Sequence, residues 1–182
     1  ELNVNIETNE EITETKSVTT YTSGNKGVNN STSTATFAFT TSSAGTLTFD
    51  YSVSSESNYD KLTIKINNGS ADTPLVNAIS GTQSGSKEYS LNTNTSYTLT
   101  VSYSKDSSSA SGSDQATISN ITITSTLSSE LTYTADSTYP YTSETADVTL
   151  TTPANKQMAS SAYTYDDTTG IFTLTDPTET AY

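Results

Sequence analysis

The feature that most constrains this chain is a period of two. In GTLTFDYSV (45–53), Leu47, Phe49, Tyr51 and Val53 alternate with Thr46, Thr48, Asp50 and Ser52. DKLTIKIN (60–67) sets Leu62, Ile64 and Ile66 against Lys61, Thr63, Lys65 and Asn67, and SYTLTVSYS (96–104) sets Tyr97, Leu99, Val101 and Tyr103 against Ser and Thr. TATFAFT (34–40) treats Phe37 and Phe39 the same way. Side chains of a strand point alternately to opposite faces, so each run reads as a half-buried strand, apolar inward and hydroxyl outward. No segment sustains a helical period.

QATISNITIT (115–124) adds a detail. Ala116 and Ile118 share one phase and Ile121 and Ile123 the other. A phase change inside a strand predicts a β-bulge near Asn120. Shorter strands are expected at 3–8, 74–79 and 86–91, punctuated by Asn-Gly at 68–69 and Ser-Gly at 84–85 and 111–112. The expected fold is all-β: an antiparallel two-sheet sandwich, or jelly roll, over residues 1–125. The tail, 126–182, carries eight acids against the single Lys156 and is broken by Pro140, Pro153 and Pro177. Strand-like runs persist at 130–134, 146–151, 161–165 and 170–175. The tail reads as a small β-rich C-terminal unit or a partial Ig-like domain, since four short strands are few for an independent core.

Composition narrows the chemistry. Ser and Thr supply about 70 of 182 residues and apolar residues only 31%, so the core is thin. With 12 Tyr, 4 Phe and no Trp, tyrosine must carry much of the aromatic packing. The lack of Cys excludes disulfides and thiolate chemistry, and the lack of His removes the commonest general base and transition-metal ligand. All seven basic residues are Lys, and the net charge is −13. That balance opposes binding to nucleic acid or to an anionic membrane. No apolar run is long enough for a signal peptide or a membrane span, and the start at Glu1 suits a processed or excised chain. An acidic, Lys-only, hydroxyl-rich chain reads as extracellular.

Several tempting patterns carry little. Thr-x-Thr recurs at 34–36, 46–48, 98–100, 122–124, 149–151 and 173–175, but the intervals are too irregular for an ice-binding ladder. These threonines read as the wet face of strands. Sequons at Asn29, Asn30, Asn68, Asn94 and Asn120 are about as many as this composition produces by chance. Asn120 invites an isopeptide bond to a lysine. Lys61 and Lys65 alternate away from the apolar face, however, so a hydrogen-bonded bulge asparagine is expected instead.

Two acidic loops remain, SSESNYD (54–60) and KDSSSASGSD (105–114). If the strands at 74–79 and 86–91 both exist, parity puts the two loops at one end of the sandwich. Glu56, Asp60, Asp106 and Asp114 then converge among Ser, Asn and carbonyl oxygens, a hard-oxygen set that suits Ca²⁺. The alternative is a set of ordinary solvated turn acids. Glu56 with Asp60 is the nearest approach to a hydrolase carboxylate pair, but no cleft is legible.

The stretch from 43 to 69, ISG at 79–81 and the stretch from 97 to 123 together resemble a jelly-roll module, MAM-like or concanavalin-like, of large bacterial surface and secreted proteins. The residues that carry the resemblance are Ser54, Ser55, Glu56, Tyr59, Asp60, Tyr103, Lys105, Asp106, Gly112 and Asp114. It covers about half the chain and departs from the pattern in lacking Trp at Val101 or Tyr103. The expected sandwich, the hydroxyl-rich surface, the strong negative charge and the lack of a catalytic constellation lead to the expectation of a non-enzymatic structural or adhesive module at the cell surface. Its expected partners are glycans or proteins of host or neighbouring cells, or copies of itself. The alternatives are a carbohydrate-binding module, for which Tyr21, Tyr59, Tyr139 and Tyr141 are the available aromatics, and a filament subunit that donates a terminal segment (1–15 or 168–182) as a strand to a neighbour.

Overall fold

A computed structural model describes the backbone of residues 12–152, 163–166 and 171–174. The strand expected at 3–8 lies outside the described residues. By internal contacts the chain divides into Ser17–Ala146 and a second unit made of Glu1–Lys16 with Asp147–Tyr182.

The described residues contain no helix, and so none long and apolar enough to cross a membrane. The strands are β1 (Ile12–Thr22), β2 (Thr32–Thr41), β3 (Gly45–Ser54), β4 (Lys61–Asn67), β5 (Asp72–Ile79) and β6 (Thr82–Leu91). They continue with β7 (Ser96–Ser104), β8 (Gln115–Ile123), β9 (Leu127–Ala135), β10 (Thr142–Thr152), β11 (Tyr163–Asp166) and β12 (Ile171–Leu174). One sheet has the order β10-β1-β8-β3-β6 and the other β5-β4-β7-β2-β9. β11 and β12 form an antiparallel hairpin of their own.

Four of the antiparallel pairings are nested: β4 with β5, β3 with β6, β2 with β7, and β1 with β8. They alternate between the sheets, as in a two-stranded ribbon rolled up on itself. This is jelly-roll topology, the antiparallel two-sheet sandwich expected from the period of two. The boundary drawn at 125/126 falls between β8 and β9, and the structure pairs β9 along β2 in the sandwich sheet.

Alternation is reproduced residue by residue. Leu47, Phe49, Leu62, Ile64, Ile66, Leu99, Val101 and Ile118 are at most 1% exposed, and Tyr51 packs against them half-buried. Each fully buried side chain of this size contributes about 1.5–3 kcal/mol. Tyrosine fills the place of the missing Trp. Tyr21 of one sheet meets Phe37 and Tyr133 of the other, both at 4.8 Å between ring centroids, and Tyr89 meets Tyr97 edge-on at 6.2 Å. The predicted bulge is present. Thr48 pairs with Thr122 and Asp50 with Ser119, so two residues, Asn120 and Ile121, oppose Phe49. Asn120 takes a positive φ of 51° and donates from Nδ2 to Asp50 Oδ2 at 2.6 Å. It is the hydrogen-bonded bulge residue that was expected. β1 is the strand that the pattern misses, because Ser and Thr hold most of its positions.

The β9–β10 connection lies directly on the β1–β2 connection. A methyl group added at Gly24 would overlap the carbonyl oxygen of Pro140 and come 3.0 Å from its carbonyl carbon. Backbone cannot yield as a side-chain tip can. Gly24→Ala is therefore expected to cost about 1–3 kcal/mol, read as a lower denaturation midpoint at an unchanged slope.

Candidate functional site

The connections β1–β2, β3–β4, β5–β6 and β7–β8 all leave the sandwich at one end, and they are stitched together there. The β3–β4 loop turns back on itself where Glu56 O accepts the Asp60 N–H at 3.2 Å. Asn58 makes this turn possible with a φ of 72°, a region that Asn tolerates. The β5–β6 turn braces the loop: Ser55 N–H donates to Gly81 O at 2.9 Å, and Gly81 N–H to Ser55 Oγ at 3.2 Å. The β7–β8 loop is held from both sides. Lys105 N–H donates to Ser31 O at 2.9 Å, Asn30 N–H to Asp106 O at 2.6 Å, and Ser113 N–H to Ser54 Oγ at 2.8 Å. Asn25 is fully buried and donates to Tyr103 O at 3.1 Å, pinning the β1–β2 loop to the end of β7.

These supports surround a buried ion triad. The Lys105 side chain is fully buried, as is that of Asp60, and Asp114 is 7% exposed. Lys105 Nζ lies 3.1 Å from Asp60 Oδ2 and in closer contact still with Asp114 Oδ1. Asp60 Oδ1 accepts the Asp106 N–H at 3.0 Å. Asp114 Oδ2 accepts the Gly27 N–H at 2.7 Å, and its Oδ1 accepts the Tyr103 hydroxyl at 3.1 Å. Burial alone pushes the Asp114 carboxyl up, but Lys105, Gly27 and Tyr103 outweigh it and hold the group below the ordinary carboxylate range. For Lys105 burial works downward, and the two aspartates reverse it and raise the ammonium above its ordinary value. Burial and the neighbouring carboxylates raise the Tyr103 phenol, so it stays a proton donor.

The four acids named from sequence therefore divide. Glu56, Asp60 and Asp106 each offer a carboxylate oxygen within 4.8 Å of the others. Asp114 belongs instead with Lys105, and the link between the two groups is Asp60. Glu56 Oε2 is buried and has no hydrogen-bond partner. One Ca²⁺ holds its oxygens at about 2.3–2.6 Å, so two of them can stand at most about 4.6–5.2 Å apart. The trio fits that span.

Lys105 and Tyr103 are legible in the sequence only as part of the resemblance and of a strand, not as members of the site, and Asn25 and Gly27 are not singled out. For Lys105 a signal existed: it continues the inward phase of Leu99, Val101 and Tyr103 by one step. Of the four candidate glycan aromatics, Tyr59 is 58% exposed, whereas Tyr141 is buried and Tyr21 packs on Phe37 and Tyr133. No protein-family model matches this chain, and no curated protein matches it in sequence.

Removing one partner of a buried ion pair leaves an uncompensated charge. Lys105→Met strands Asp60 and Asp114 together and is expected to cost about 3–5 kcal/mol in chemical denaturation. Lys65→Met, at the exposed pair with Asp72, should cost at most about 1 kcal/mol in the same experiment.

Proposed function

We propose that this chain is a non-enzymatic structural or adhesive module of an extracellular, cell-surface protein, similar in kind to MAM-like and concanavalin-like jelly rolls. We propose also that Glu56, Asp60 and Asp106 bind Ca²⁺ at the loop end. The observation that carries this reading is the clustered trio with its buried, unpartnered Glu56 oxygen. A buried carboxylate oxygen without a partner loses its hydration for nothing in return. A divalent cation would supply the missing partner and offset the mutual repulsion of the three acids. Lys105 is committed to Asp60 and Asp114, and among the described residues no ion pair reaches Glu56 or Asp106. When bound, the ion would clamp the β3–β4 and β7–β8 loops and stiffen the end of the module that faces a partner. That partner is a surface glycan or protein, or another copy of the chain. For the carbohydrate alternative, Tyr59 is the exposed aromatic, while Tyr141 is buried and Tyr21 partly buried.

Melting with Ca²⁺ and then with EDTA tests the site. At a Ca²⁺ concentration about 100-fold above the dissociation constant, mass action adds about 2.7 kcal/mol. For a chain of this length that is roughly 5–10 °C in Tm. Glu56→Gln should erase the difference. Superimposable curves for the parent protein under the two conditions would remove the calcium reading.

A further inference from the structure

Lys105, Asp114 and Asp60 meet the requirements for a covalent reaction among themselves. We propose that Lys105 Nζ and Asp114 Cγ condense into an intramolecular amide, with Asp60 as the catalytic residue that carries the protons. Asp60 is shared with the trio proposed above to hold Ca²⁺, and the amide is read by mass, which bound Ca²⁺ does not change.

Three observations carry it. The first is contact: the amine nitrogen touches the carboxyl it would attack, and the Lys105 and Asp60 side chains are wholly buried. In water an ammonium and a carboxylate stay apart as solvated ions. Burial removes that hydration and holds the two groups in contact. Fixed proximity replaces a bimolecular encounter. The second is the setting of the two carboxyl oxygens of Asp114. Oδ2 accepts the Gly27 backbone N–H at 2.7 Å, a donor fixed where negative charge develops as the nitrogen adds. Oδ1 faces Lys105 and the Tyr103 hydroxyl, which can donate to it as it departs. The third is the aim of Asp60. Its Oδ1 is held by the Asp106 N–H, which leaves Oδ2 directed at Nζ.

The step balances without any further reagent. The Lys105 ammonium passes a proton to Asp60 Oδ2, and the free amine adds to Asp114 Cγ. The new N–Cγ bond forms, and charge collects on Oδ2 beside Gly27. Asp60 relays protons from nitrogen to Oδ1, the Cγ–Oδ1 bond breaks, and water leaves. Nitrogen enters with three hydrogens and keeps one, and the two it loses depart on Oδ1. Asp60 ends as it began, ionised, and accepts the new amide N–H. The summed charge of the three groups is unchanged, while a buried ion pair is replaced by a neutral bond. In a chain with no cysteine this closes the β7–β8 loop covalently.

Mass spectrometry of the purified, denatured full chain decides the matter. The linked protein weighs one water less than its sequence. Trypsin then fails to cut after Lys105, so 88–156 appears as one peptide lighter by one water, in place of 88–105 and 106–156. Fragmentation should place the link between Lys105 and Asp114. Lys105→Met, Asp114→Ala and Asp60→Asn should all show full mass. A parent protein at full mass, cut normally after Lys105, overturns the proposal whether or not the variants fold. So does a water loss that maps elsewhere or persists in Lys105→Met. Water loss retained in Asp60→Asn would overturn the role given to Asp60.

Discussion

The loop end of this sandwich depends on one buried ammonium. Lys105 brings together Asp60 from the entry to β4 and Asp114 from the entry to β8. Around it stand Ser23, Asn25, Ser31, Ser33 and Ser55, all buried. Each of these polar residues continues the inward phase of a strand one or two steps past its apolar part. Asp60 precedes Leu62 and Ile64, Lys105 follows Val101 and Tyr103, and Asp114 precedes Ala116 and Ile118. The hydrophobic core therefore does not stop at solvent at this end. It grades into a buried polar layer whose members bond to one another and to the loop backbone, with Asn25 Oδ1 left as a buried atom without a partner. Any such unpaired atom carries its full desolvation cost.

This arrangement also accounts for a core built from so few apolar residues. The outward faces hold ranks of hydroxyls paired across strands, such as Thr32 with Ser104, Thr34 with Ser102 and Thr40 with Ser96 at 3.0–3.2 Å. Cross-strand pairs of this sort add a few tenths of a kcal/mol each. They let threonine, a strong strand former, hold the sheet where a larger apolar side chain would only be exposed.

What could be read from sequence follows the same physics. Strands with apolar residues every second position declared themselves, and the split phase around Asn120 disclosed the bulge. β1 did not, because ITETKSVTTYT offers no apolar alternation to detect. The convergence of the acidic loops followed from strand parity alone. The partition among the acids did not, because it depends on Lys105. It opens the loop KDSSSASGSD, and only its inward phase, extended past the strand end, marks it as buried. Asn25 continues the phase of β1, the strand that the pattern misses, and its partners, Ser31 and Tyr103 O, come from a turn and from a strand 78 positions away.

The nested pairing of strands has a consequence for the order in which the molecule assembles. β4 and β5 are joined by a four-residue turn, whereas β1 finds its partner only across the whole of the ribbon between them. Each successive pairing closes a longer loop, and the outermost cannot exist before β8 has been made. Closure entropy grows only slowly with loop length. Domains dominated by such distant pairings nevertheless fold in milliseconds to seconds, slowly for their size. During synthesis this ribbon can begin at its central hairpin and zip outward. The triad that seals the loop end draws on both the β3–β4 and β7–β8 connections, so it is among the last parts to form.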